Sequence, residues 1–133
     1  MKSVFIALPL ALFFTSASFA GSAKEPIQLN IATGNVPGQV EMIQQAIQQP
    51  EYVEMTSADR TTLNRQLAAL QQGQLDTVGT SDAQQQVNAI LKKAYADSRI
   101  VCVFEKPLGS NLKQRTCKTV AAKKKQHQNT QNT

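Results

Sequence analysis

The sequence has no tryptophan, a single histidine and only two cysteines, which leaves little reason to propose a reaction centre. The histidine, His127, sits in a polar C-terminal run, where no rigid catalytic or metal-ligating cluster can be built around it. No metal-ligand spacing, phosphate-binding glycine pattern or nucleophile elbow is present. We therefore expect no enzyme, with no catalytic residue, no metal and no cofactor. Glu51 and Glu54 are close in sequence but fall in a connector, where carboxylates are ordinarily solvated.

Long apolar runs are lacking too. The apolar run over residues 4–14 is well short of the roughly 20 residues that span a bilayer. It is preceded by Lys2, contains Pro9 and is followed by Ser18-Phe19-Ala20, the pattern of a secretory signal peptide over residues 1–20 with cleavage after Ala20. No cysteine follows that point, which argues against a lipoprotein anchor. The expected product is periplasmic or secreted, with no transmembrane segment after cleavage.

With few aromatics and many glutamines, the core must come from Leu, Ile, Val, Ala and Met. A folded part of about 90 residues buries a modest share of its surface, so a covalent staple helps. Cys102 and Cys117 supply it, since an oxidising compartment favours the bridge and no third cysteine competes.

Charge is placed unevenly. Residues 21–91 carry 3 Lys or Arg against 7 Asp or Glu, net −4, whereas residues 92–133 carry 10 against 2, net +8. A basic end either attracts anionic partners or simply keeps a small protein solvated.

Along the chain, residues 21–26 read as a flexible lead-in. Residues 27–31 alternate apolar and polar, as a short strand with one buried face does, and residues 33–38 carry turn chemistry. Val40, Ile43 and Ile47 then recur at helical spacing from Gln39 until Pro50 stops the helix. Thr56 and Ser57 offer caps to a second helix with a Leu63, Leu67, Leu70 stripe and Gly73 as its left-handed terminator. Residues 75–79 read as a linker, and a third helix is predicted over residues 82–96, with Ala83, Val87, Ile90, Leu91 and Ala94 on one face.

After Asp97 the residues favour strand. Residues 100–104 and 112–120 flank Pro107-Leu108-Gly109-Ser110-Asn111. Taking Gly109-Ser110 as a two-residue type II′ turn pairs residues whose numbers sum to 219, which sets Cys102 opposite Cys117. That count predicts a hydrogen-bonded pair about 5.5 Å apart at Cα. The loop so closed, about 15 residues, adds about 3 kcal/mol by restricting the unfolded chain. We expect the Ile100, Cys102, Phe104 face to meet the helices and residues 27–31 to be available as a further edge. The fold class is thus α+β, with about three short amphipathic helices packed on a C-terminal disulfide-closed β-hairpin. The single domain covers residues 27–120, and residues 121–133 form a basic, polar tail, disordered or a frayed helix.

Candidate partner contacts are Lys106, Lys113, Arg115, Lys118, Lys123, Lys124 and Lys125, whose phosphate or carboxylate contacts would be salt-dependent. Nucleic acid is disfavoured, because the aromatics near them, Tyr95 and Phe104, are too few to stack on bases. The glutamine pairs, including Gln84, Gln85 and Gln86, read as neutral solvent faces.

At residues 86–91, residues 97–102, Gly109-Ser110 and Arg115-Thr116-Cys117-Lys118-Thr119, the chain resembles small exported proteins of uncharacterised function from Gram-negative bacteria of the Xanthomonas group. Those proteins carry a Cys, a Gly-Ser turn and an Arg-x-Cys-Arg-Thr-like return; Lys118 stands here where Arg is commoner. The resemblance implies a periplasmic or secreted setting and a bridged hairpin, and no activity. The expectation is an exported, non-enzymatic protein that binds another protein or an anionic envelope component. The alternative is a periplasmic inhibitor or stress protein acting through the hairpin tip.

Overall fold

A computed structural model describes residues 24–132; the expected signal peptide and residues 21–23 lie outside them. Four α-helices and one antiparallel hairpin follow in the order α1 (Val36–Ala46), α2 (Ser57–Gln71), α3 (Thr77–Ser98), β1 (Ile100–Glu105), β2 (Gln114–Thr119) and α4 (Val120–Gln131). The fold is α+β, closed by a Cys102–Cys117 disulfide.

Local chemistry sets the helix boundaries. Asn35 adopts a left-handed conformation at φ 48° and Pro37 sits in the first turn of α1, so this helix starts at Val36, three residues before the sequence suggests. The predicted cap of α2 is present: Thr56 Oγ1 accepts from the Asp59 amide at 3.0 Å, and Gly73 follows the helix at φ 62°. The α3 boundary differs more. Residues 77–79 are helix and not linker, because Asp76 Oδ1 accepts from the Gly79 amide at 2.7 Å and caps a 22-residue helix. Between α1 and α2, a 3₁₀ turn at Pro50–Tyr52 drops the Tyr52 ring into the core.

The core joins Leu29, Val40, Ile43, Ile47, Tyr52, Met55, Leu63, Leu67, Val87, Leu91 and Ala94. All come from α1, α2, α3 and the segments beside them. Burying one such leucine contributes about 1.5–3 kcal/mol, so the stripes read from helical spacing hold the molecule together.

The predicted N-terminal strand does not form. Residues 24–30 lie in no sheet, and a 3₁₀ turn follows at Ile31–Thr33. Their backbone is satisfied instead by side chains of the helices. Asn88 Oδ1 accepts from the Leu29 amide at 2.7 Å while Asn88 Nδ2 donates to the Leu29 carbonyl at 2.9 Å. Gln84 Oε1 accepts from the Ile31 amide at 3.1 Å, and Gln39 Oε1 from the Asn30 amide at 2.8 Å. Amide side chains present the same donor and acceptor pair as a neighbouring strand, which seats Leu29 in the core. Gln84 is therefore a structural ligand of the backbone, not a neutral solvent face. The start of the lead-in is also tied down, as Lys24 pairs with Glu51 at 2.6 Å and its carbonyl accepts from the Tyr95 hydroxyl.

An acid limb follows from the surface pairs. Lys93 Nζ lies 2.8 Å from Asp59 Oδ2, and this hydrogen bond holds the Asp59 carboxyl below its usual range. A depressed carboxyl stabilises the fold at full strength above its unfolded pKa, about 3.9, and that contribution is lost as pH falls through the folded value. Urea midpoints measured between about pH 6 and pH 2.5 should fall less for Asp59→Asn than for the parent chain. Equal slopes would show the pair to be idle.

Candidate functional site

Among the described residues, the hairpin and α4 contribute nothing to the core cluster. No residue of β1 or β2 belongs to the core cluster, and every strand residue is exposed or half-buried. The register is the predicted one, running from Ile100 opposite Thr119 to Glu105 opposite Gln114 with Cys102 opposite Cys117. The Cα atoms of the bridged pair are 4.0 Å apart, which places them in the closer, non-hydrogen-bonded class and not the expected wider one.

The turn also differs from expectation. The ladder ends at Glu105 and Gln114, so Gly109-Ser110 is not a two-residue loop. Instead Ser110 donates its amide to the Pro107 carbonyl at 3.1 Å, and Gly109 takes φ 82° at the third turn position, as a type II turn requires. Ser110 Oγ accepts in addition from the Leu112 amide at 3.2 Å. The register survives because the loop grows equally on both arms.

The buried face is the opposite of the expected one. Val101, Val103 and Thr116 are half-buried, whereas Ile100, Cys102, Phe104, Arg115 and Cys117 face solvent. The cause is α4: of the two readings of the tail, disordered or frayed helix, the structure shows a helix over Val120–Gln131. Thr119 Oγ1 accepts from the Ala122 amide at 3.2 Å to cap this helix and donates to Glu54 Oε1 at 2.6 Å. The Glu54 amide in turn donates to the buried Ser98 Oγ at 2.9 Å. Lys124 pairs with Asp97 at 2.8 Å. These bonds lay α4 along the Val101 side of the hairpin, where Val101, Val120, Lys123, Lys124, His127 and Gln128 line an open groove.

The candidate cations do not form one patch. Lys106 and Lys113 stand exposed just beyond the last ladder pair on either arm, and Arg115 shares the solvent face with Phe104. Lys118 lies on the α4 side, with Nζ donating to Gln126 Oε1 at 2.8 Å, and borders a second shallow groove with Ala122, Lys125 and Asn129. Lys123 lies across α4 beside Glu105 and His127. Lys124 is paired with Asp97 while its side chain stays largely exposed.

Sequence reasoning missed the exposed apolar set. Four of the seven large apolar side chains left exposed among the described residues, Ile100, Phe104, Leu108 and Leu112, lie on the hairpin, so exposure is concentrated there. Leu108 at the apex is 106% exposed, Leu112 75% and Phe104 72%. Two leucines inside a Pro-Gly-Ser-Asn loop were the available signal, since nothing local can bury them. Among the described residues no cluster of His, Cys, Asp and Glu is placed to hold a metal ion, and no helix is long and apolar enough to cross a membrane. No protein-family model, curated protein or solved structure matches the chain.

Proposed function

We propose that the chain is an exported, non-enzymatic protein of the periplasm or cell exterior that binds an anionic envelope component through its hairpin. One observation carries this reading. Among the described residues the ion pairs engage Lys24, Lys93 and Lys124, which leaves Lys106, Lys113 and Arg115 exposed and unpaired around a projecting arm. Cations without ion-pair partners attract anionic polymers and surfaces over several ångströms, and salt screens that attraction.

Retention on immobilised polyphosphate at about 0.15 M salt tests it. The triple variant Lys106→Gln, Lys113→Gln, Arg115→Gln should elute at clearly lower salt with an unchanged circular dichroism spectrum. Equal retention of the variant would move the contact off the hairpin. A second reading, in which the tip enters a cleft of a target protein as an inhibitor, is favoured by the complete exposure of Leu108. It predicts capture of one protein from envelope extract that survives the triple charge change and is lost with Leu108→Ser.

A further inference from the structure

We infer that the anionic component is a lipid surface, and that the hairpin tip inserts into it. The inference rests on the preceding reading and adds the class of ligand. Its basis is the order of side chains along the hairpin axis. Leu108, fully exposed within the Pro107–Ser110 turn, and Leu112, exposed later in the same loop, both lie beyond the last ladder pair. Lys106 and Lys113 come next, one on each arm, and then Phe104 and Arg115 share the following solvent-facing pair. The loop carries two exposed leucines, and the pair that flanks it is cationic.

An anionic bilayer presents the complementary gradient, with phosphates outside and hydrocarbon beneath. Amphipathic elements that lie at such an interface bury their apolar side chains about 5–10 Å deep while Lys and Arg remain at headgroup level. The one acidic side chain of the hairpin, Glu105, lies on the opposite face, beside Lys123 and His127 under α4, so it does not oppose the approach. The tip is held in shape for this role by the Ser110–Pro107 and Leu112–Ser110 bonds and by the bridge between Cys102 and Cys117 behind it. A protein cleft would ask for shaped polar contacts around the tip, and the charged side chains that flank the loop, Lys106 and Lys113, are both long, exposed lysines.

The chain contains no tryptophan, so Leu108→Trp supplies a single fluorescent reporter at an exposed position where it does not disturb the core. The chain is taken after export, with its N-terminus read by mass spectrometry so that the apolar leader is known to be absent. Vesicles of equal phosphatidylglycerol and phosphatidylcholine should shift the emission to the blue and sediment the protein, whereas phosphatidylcholine alone should do neither. Each of Lys106→Gln and Lys113→Gln in that background should weaken vesicle binding about fivefold. Leu112→Ser with Phe104→Ser should weaken it tenfold or more. Binding to polyphosphate without any blue shift or sedimentation with anionic vesicles would overturn the lipid assignment and leave the anionic-component reading standing. Failure with both probes would remove both.

Discussion

Replacing Asn88 with alanine should lower the free energy of unfolding by about 2–4 kcal/mol, because two backbone groups lose their partners at once. The Leu29 amide and carbonyl are both held by this one side chain, and Leu29 itself is almost fully buried. The site is half-buried, so an orphaned group that is not rehydrated carries the cost of desolvation without a replacement bond. Urea unfolding would measure the loss. Asn88→Asp makes the stricter test. Its carboxylate still accepts from the Leu29 amide but meets the Leu29 carbonyl as a second acceptor, and protonation restores a donor. The aspartate variant should therefore recover part of its deficit relative to the parent chain as pH falls through the ordinary Asp range. A deficit independent of pH would mean that Asn88 acts by packing alone.

The second large effect is a contrast. Leu91→Ala should destabilise by about 3–4 kcal/mol, whereas Phe104→Ala, a larger truncation, should stay within about 0.5 kcal/mol. Leu91 is fully buried at the centre of α3, with Leu63, Leu67 and Val87 in the same cluster, so removal of its isobutyl group leaves a cavity that rigid helices cannot close. Phe104 lies on the solvent face of the hairpin, and its ring has little to lose. Thermal or urea melts of the two variants would show it. If Phe104→Ala cost as much as Leu91→Ala, the hairpin would belong to the core after all, and the separation of the binding arm from the stabilising body would fail.

How far these features could be read in advance depended on whether the deciding partner was local. The Thr56 cap, the Leu63 and Leu67 stripe and the pairing of Cys102 with Cys117 are set by neighbours in sequence, and they are found where spacing places them. The buried face of β1 was not legible, because Ile100 and Phe104 are as apolar as Val101 and Val103. Only α4 breaks that tie. This helix was hidden in turn: its lysines and glutamines give no apolar stripe, and Thr119 announces it only once the end of β2 is known. The amide partners of residues 27–31 were hidden for another reason. Period-two alternation reports an extended segment, but not whether a strand or a row of glutamine and asparagine side chains will satisfy it. The early start of α3 is a weaker signal than it need have been, since β-branched Thr77 and Val78 beside Gly79 depress helix propensity and mask the Asp76 cap.

The placement of the core has a consequence for the order of events as the chain is made. Ala94 is the last residue of the core cluster, so every group that the helical body needs has been delivered before the first strand residue emerges. The body can close while the hairpin is still unthreaded. Oxidation of Cys102 and Cys117, 15 residues apart, then becomes a local event on an already folded support. A bridge outside the core is one whose opening removes no residue of the core cluster.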